Sequence, residues 1–142
     1  MSIPQIVIDT NVFVAALMSR RGASYKLLML LGQGRFELNI SVALILEYED
    51  VAMRKLDLLS LPEARVVDIL DYVCAVAQHQ NLYYLWRPVL RDPADDMVLE
   101  LAVASASQYI VTFNVRDFVG SERFGVEAVA PREFLFRIGE LA

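Results

Sequence analysis

One short segment near the amino terminus constrains the fold more than any other. The run Gln5-Ile6-Val7-Ile8 is rich in β-branched residues and is followed at once by the polar residues Asp9-Thr10-Asn11. A continuous apolar run of this length is typical of a strand that is buried on both faces of a parallel sheet. In open parallel sheets, the groups that do chemistry gather just beyond the carboxyl ends of the strands. We therefore expect a functional crevice beside Asp9.

Strands and helices alternate along the rest of the chain. Apolar periodicity and capping residues predict helices at 12–18, 23–31, from 42 onward, from about 60 to 78, at 92–106 and at 131–138, and further strands at 36–40, 82–85, 109–112 and 126–129. This alternation predicts an α/β fold, a three-layer α/β/α sandwich with a mostly parallel five-stranded sheet. A chain of 142 residues without a linker-like stretch suits one core, so we expect a single domain over residues 1–142.

Composition limits the classes of function. The net charge of −5 argues against a protein that binds nucleic acid through a broad basic surface, although a carboxylate site that holds cations stays compatible with it. Cys74 and His79 are the only residues of their types, which excludes an internal disulfide and a Cys/His zinc site. No segment resembles a secretion signal or a membrane span, so we expect a cytoplasmic protein without membrane contact.

A second candidate acid lies on the helix that begins after Ser41. Glu47 shares a helical face with apolar residues three and four positions away, and a carboxylate on such a stripe is costly to bury unpaired. Glu49 also has apolar neighbours at these spacings. Periodicity alone therefore leaves the choice between Glu47 and Glu49 open.

A third candidate acid belongs to the segment Asp92-Pro93-Ala94-Asp95-Asp96. Asp92 suits an N-cap and Asp95 is a favourable first-turn acid, whereas capping does not explain Asp96. We therefore prefer Asp96. Another polar cluster, Asn114-Val115-Arg116-Asp117, follows the predicted strand that ends at Thr112.

These residue types indicate a metal site with oxygen ligands. Several carboxylates and no usable Cys/His set favour Mg²⁺ or Mn²⁺. Two such ions can activate water and stabilise the leaving oxygen in phosphodiester cleavage, which needs no protein nucleophile. The predicted chemistry is therefore metal-dependent hydrolysis.

The motifs that carry these residues resemble the PIN-domain family from Ile6 to about Leu135. They are, in family order, VIDTNVF, SVALILEYEDV, DDMVLELA and IVTFNVRDF. The resemblance implies that Asp9, Glu47 and Asp96 are metal ligands, with Glu47 chosen by its spacing from Ser41 and Asp96 by its separation from Thr112. It further implies that Asn114 or Asp117 completes the site and that Asn11 and Thr112 support it. Arg116 lies close in sequence to the predicted strand-end face, so we expect it to touch RNA phosphates.

The same resemblance implies an Mg²⁺- or Mn²⁺-dependent endoribonuclease. Within the family the chain is similar to VapC-like toxins of toxin–antitoxin pairs, which implies a cognate antitoxin and a homodimer. It departs from the common pattern at Asn114, where many members have an aspartate, and Asp117 is the candidate replacement for that charge. Two alternatives stay open: a catalytically silent PIN-like module that binds RNA or protein, and a phosphatase that uses Asp9 as its nucleophile.

Overall fold

A five-stranded parallel sheet forms the centre of the protein. In this computed structural model, which describes residues 3–59, 61–82 and 90–141, the strands are β1 (Gln5–Ile8), β2 (Glu37–Ile40), β3 (Gln78–His79), β4 (Tyr109–Val111) and β5 (Glu127–Val129). Their order in the sheet is β3-β2-β1-β4-β5, and each pairing between neighbours is parallel. The predicted α/β class with a five-stranded sheet is confirmed.

Six α-helices connect these strands within the described residues. They are α1 (Thr10–Met18), α2 (Ala23–Met29), α3 (Val42–Arg54), α4 (Glu63–Val76), α5 (Pro93–Ala104) and α6 (Pro131–Arg137). Asp9, Ser41 and Asp92 cap α1, α3 and α5 by accepting hydrogen bonds from first-turn backbone N–H groups that have no partner inside the helix. Among the described helices, none is long and apolar enough to cross a membrane.

The region around α4 differs from the prediction. The helix begins at Glu63, because Pro62 is extended, with ψ 161°, and a proline also disfavours helical geometry at the residue before it, Leu61. It ends at Val76, and β3 follows immediately, where Gln78 and His79 pair with the end of β2. Of the predicted strand at 82–85, residue 82 is not in a strand and residues 83–85 lie outside the described part of the chain.

The core lies on both faces of the central strands. Ile6 and Val7 of β1 are fully buried, as expected from their uninterrupted apolar run. Beside the sheet, the rings of Phe13 on α1 and Tyr48 on α3 stack with centroids 4.5 Å apart and an interplanar angle of 8°. The Tyr48 hydroxyl donates a hydrogen bond to the backbone carbonyl of Ile8. These contacts tie the two helices to the carboxyl end of β1.

The strand order leaves a crevice at one place in the sheet. Strand β1 lies between β2 and β4, so the chain leaves β1 towards one side and returns on the other. Such a switch point opens a space beyond the carboxyl ends of the two strands involved. The backbone N–H of Asp9 donates to the carbonyl of Val111 over 2.9 Å, which holds the ends of β1 and β4 together. The polar residues that follow these two strands therefore meet at the crevice.

Candidate functional site

Asp9 is fixed at the end of β1 by two hydrogen bonds. As a whole residue, Asp9 is 8% exposed. One oxygen, Oδ1, accepts from the backbone N–H of Thr10 over 2.9 Å, and the other, Oδ2, accepts from the hydroxyl of Thr112 over 2.8 Å. Each carboxylate oxygen keeps a lone pair beyond the one used. Asp9 is thus both positioned and still able to bind a further group.

Glu47 lies beside the Asp9 segment because it contacts Thr10, the residue after Asp9. The sequence did not reveal this contact. The hydroxyl of Thr10 donates to Oε2 of Glu47 over 2.8 Å, which links the first residue of α1 to the middle of α3. Glu47 is half-buried, whereas Glu49 is exposed. Of the two glutamates that periodicity left open, Glu47 is the one whose carboxylate lies beside the Asp9 segment.

The segment after β4 closes the site on another side. The backbone N–H of Asn114 donates to the Thr112 hydroxyl over 3.0 Å, and that hydroxyl in turn donates to Asp9. Oδ1 of Asn11 accepts from the backbone N–H of Phe113 over 3.3 Å. Asn11 and Thr112 thus hold the β4 segment against the β1 segment. The side chains of Asn114 and Asp117 are exposed, and a 3₁₀ helix at Val115–Phe118 carries Asp117.

The structure separates the two neighbouring aspartates of α5. Oδ1 of Asp96 accepts from the backbone N–H of Leu90 over 2.9 Å, so this carboxylate supports the chain before the helix. Asp95 interacts electrostatically with Asp9, Glu47 and Asp117. The sequence explained Asp95 as a favourable acid in the first turn of α5. In the structure, that first turn also faces the crevice. The prediction chose Asp96, which binds the backbone N–H of Leu90, whereas Asp95 interacts with the other acids.

Besides burial, mutual repulsion among these carboxylates contributes to the pKa shifts of Asp9 and Asp95. Burial is the largest cause that raises the pKa of Asp95 to about 6, and repulsion from Asp9, Asp92, Asp117 and Glu47 supplies the rest of the shift. Burial also raises the pKa of Asp9, although the hydrogen bonds from Thr112 and Thr10 oppose the shift. These carboxylates repel one another in a partly desolvated space. We call Asp9, Glu47, Asp95 and Asp117 the acidic cluster.

A cavity of about 590 Å³ adjoins the acidic cluster on the α5 side. The described residues that line it are Leu90, Arg91, Asp92, Asp95, Arg116, Asp117 and Val119. It therefore combines two guanidinium groups with three carboxylates. Arg116 was predicted from its place after β4, whereas Arg91 was missed because nothing in its local sequence distinguishes it from a surface arginine.

The acidic cluster suits a divalent cation in charge and donor type. Hard cations such as Mg²⁺ and Mn²⁺ prefer carboxylate oxygens, and a bound cation would relieve the repulsion within the cluster. Across the part of the chain that the structure describes, however, no three His, Cys, Asp or Glu side chains lie close enough together to hold a metal ion.

Comparison with known proteins places the chain in a family. The PIN domain profile matches residues 5–116, a span that includes Asp9, Glu47, Asp95 and Asn114. A chain in the crystal structure of VapBC2 from Rickettsia felis, bound to a DNA fragment from their promoter, is similar with a TM-score of 0.59. The match covers 87% of this chain and 98% of that chain at 16% sequence identity, which shows a shared fold. No curated protein matches the sequence significantly. Since the family profile spans most of its length, the chain belongs to the PIN domain family.

Proposed function

We propose that this protein is an endoribonuclease that needs Mg²⁺ or Mn²⁺ and cleaves RNA at the acidic cluster. The observation that carries the proposal is the meeting of Asp9, Glu47, Asp95 and Asp117 at the switch point of the sheet, where their repulsion helps to raise the pKa of Asp95 to about 6. Membership of the PIN family supports it, because PIN domains are generally nucleases.

The residues of the cluster take different parts in this proposal. Asp9 is the most rigid of the proposed ligands, since Thr10 and Thr112 hold both of its oxygens. Glu47 and Asp95 face it from α3 and α5, and Asp117 adds the negative charge that Asn114 lacks. Divalent ions, when bound, supply the positive charge that activates water and stabilises the leaving oxygen in phosphodiester hydrolysis.

Two arginines are proposed to bind the RNA backbone. Arg116 and Arg91 line the cavity beside Asp95 and Asp117. A guanidinium group can bind phosphate oxygens through two parallel hydrogen bonds. Repulsion between RNA and the acidic cluster is offset by the bound cations and by these side chains.

RNA cleavage tests the function directly. Purified protein is incubated with a mixed single-stranded RNA pool and Mg²⁺, Mn²⁺ or EDTA. We expect metal-dependent cleavage that falls by at least about 100-fold in Asp9→Asn and in Glu47→Gln. Glu49→Gln is the matched control for Glu47→Gln, because Glu49 is an exposed acid on the same helix. Cleavage that persists in EDTA and in Asp9→Asn would refute the proposal.

The neighbouring aspartates of α5 provide a second matched pair. In the proposed site Asp95 replaces Asp96, the ligand that the family spacing predicted. Asp95→Asn should therefore reduce cleavage as strongly as Glu47→Gln does. Asp96→Asn keeps an oxygen that can accept from the Leu90 N–H, and its effect should be much smaller. The reverse order of effects would restore Asp96 as the ligand.

The proposal extends to partners. We propose that the protein is the toxin of a toxin–antitoxin pair, that its cognate antitoxin blocks the acidic cluster, and that the free protein is a homodimer. The fold similarity to a chain of the VapBC2 crystal structure supports the first statement. Co-expression with the protein encoded by the adjacent gene should abolish RNA cleavage and yield a complex. The mass of the free protein in solution tests the dimer.

One observation favours a second candidate function. The described acids form no ready-made metal site, and an amide stands at Asn114 where many family members carry an acid. A silent PIN module that only binds RNA would explain both facts. In that case wild type and Asp9→Asn would bind RNA equally well and neither would cleave it. The phosphatase alternative gains no support, because such chemistry would want a lysine on the later strands, and the two lysines of the chain, Lys26 and Lys55, both precede β3, β4 and β5.

A further inference from the structure

An aromatic side chain stands in solvent immediately beside the acidic cluster. The Phe113 side chain is 51% exposed, whereas its neighbour Thr112, which holds Asp9, is completely buried. Consecutive Cα atoms are about 3.8 Å apart, so the base of the ring lies one residue from the threonine that positions Asp9. Single exposed apolar residues are common on protein surfaces. Exposure alone therefore assigns no role to Phe113.

The backbone that carries this ring is held on both sides. The N–H of Phe113 itself donates to Oδ1 of Asn11 over 3.3 Å. Before it, the N–H of Thr112 donates to the carbonyl of Val129 over 2.9 Å, and after it the N–H of Asn114 donates to the Thr112 hydroxyl over 3.0 Å. The ring is thus presented from a fixed strand end. A rigid aromatic group with only two side-chain torsions loses little conformational entropy on binding.

The two flanks of the acidic cluster differ in chemistry. The cavity on the α5 side contains Arg91 and Arg116, which suit phosphate groups. Phe113 is not among the residues that line this cavity, and its backbone N–H is bound by Asn11 of α1. A nucleic acid strand offers charged phosphates and flat apolar bases, so one flank matches its backbone and the other matches a base. Binding of single strands generally combines such cationic and aromatic groups.

We propose that Phe113 is a substrate-positioning residue whose ring stacks on a nucleobase next to the phosphate at the acidic cluster. This inference rests on the proposed nuclease function. A phenyl ring has no hydrogen-bonding group, so the contact accepts any base. It requires a base with a free face, and bases inside a continuous duplex are already stacked on both sides. Phe113 therefore selects unpaired nucleotides.

Binding can be measured without cleavage in an Asp9→Asn background. The probe is a fluorescein-labelled single-stranded RNA, and the readout is its anisotropy in Mg²⁺. Adding Phe113→Ala should weaken affinity by about 5- to 100-fold, the range expected for loss of one stacked base. Phe113→Tyr should restore affinity to within about threefold, whereas Phe113→Leu, which keeps apolar area without an aromatic face, should resemble alanine.

Phe136→Ala is the matched control. Phe136 is 56% exposed, and its neighbour Arg137 forms an ion pair of 2.8 Å with Glu127 at the beginning of β5, away from the carboxyl ends of the strands. This variant should bind RNA as its parent does. Thermal unfolding of each variant excludes misfolding as the cause of any loss.

Parallel cleavage by proteins that retain Asp9 separates the two claims. In one case, wild type, Phe113→Ala and Phe113→Leu all cleave RNA with the same KM. That result would overturn the stacking role and leave the nuclease function intact. In the opposite case, RNA binding in the Asp9→Asn background depends on Phe113, but wild type does not cleave RNA. That result would support the stacking role and refute the nuclease function. If Phe113→Leu binds RNA as tightly as its parent, the contact is apolar and does not involve stacking. That result would also overturn the inference.

Discussion

The hydroxyl of Thr10 donates a hydrogen bond of 2.8 Å to Oε2 of Glu47, so the first residue of α1 orients a carboxylate on α3. Thr10 also donates its backbone N–H to Oδ1 of Asp9. A single residue therefore contacts two acids of the cluster, one through its backbone and the other through its side chain. Groups that orient a metal ligand commonly affect metal affinity and rate by 10- to 100-fold.

Replacement of Thr10 by valine should separate these two contacts. Thr10→Val keeps the backbone bond to Asp9 and a similar side-chain volume, but it leaves Glu47 without its donor. We expect RNA cleavage to fall by about 10- to 100-fold and the Mn²⁺ concentration for half-maximal rate to rise. Thr10→Ser retains the hydroxyl and should restore most of the rate. Equal activity of the valine and serine variants would show that the contact does not position Glu47.

Thr112 stabilises the buried carboxylate of Asp9. Thr112→Val removes the donor to Oδ2 and leaves a carboxylate oxygen with 8% residue exposure unsatisfied. Loss of one partner of a buried charged group costs about 1–3 kcal/mol in the free energy of unfolding. Urea denaturation at pH 7 measures this change. The serine variant is the control, and a valine variant as stable as wild type would contradict the assigned bond.

Asp95 should make the stability of the metal-free protein depend on pH. Burial and neighbouring acids raise its pKa from 3.8 to about 6 in the folded state, so the folded chain binds this proton more tightly than the unfolded chain. The contribution of Asp95 to stability is therefore present below about pH 4 and is lost as the pH rises through about 6. Above that range, the ionised carboxylate destabilises the fold.

Asp95→Asn should abolish this loss. In EDTA, the variant should gain about 1 kcal/mol relative to wild type between pH 4.5 and pH 7.5, a value reduced for solvent screening because the group is only partly buried. Urea denaturation at the two pH values measures it. Asp57→Asn, an exposed acid beyond the far end of α3, is the control. A difference between wild type and Asp95→Asn that does not change with pH would contradict the repulsion within the acidic cluster.

Tyr48 couples the core to the site. Its hydroxyl donates to the carbonyl of Ile8, the residue before Asp9, and its ring stacks on Phe13. Tyr48→Phe keeps the stacking and removes the donor, which should lower the free energy of unfolding by about 1–2 kcal/mol. Chemical denaturation gives this value. Unchanged stability would mean that the buried carbonyl of Ile8 finds another partner.

The sequence predicted those elements whose position depends on neighbouring residues in the chain. The apolar run before Asp9 identified β1, and the capping residues Ser41 and Asp92 located the beginnings of α3 and α5. Strand β3 was not predicted because it has only two residues, Gln78 and His79, and both are exposed. A strand this short carries no alternation, and its pairing with β2 is visible only in three dimensions.

The composition of the candidate site was harder to predict than its position. The rule that polar groups gather at strand ends led to Asp9 and Thr112, and these residues are in direct contact. Helical periodicity did not separate Glu47 from Glu49, because the deciding contact comes from Thr10 on another helix. Asp95 was not chosen from the sequence because a favourable place in the first turn of α5 already accounted for it, and its second place, lining the cavity, is visible only in the structure.

Direct observation of a bound ion tests the central claim most sharply. Crystals soaked in Mn²⁺ and measured by anomalous diffraction would reveal the ion and its ligands. We predict an anomalous peak within about 2.0–2.3 Å of carboxylate oxygens from Asp9 and at least one of Glu47 and Asp95. No peak at the acidic cluster at millimolar Mn²⁺, in crystals of a protein that cleaves RNA, would contradict the account.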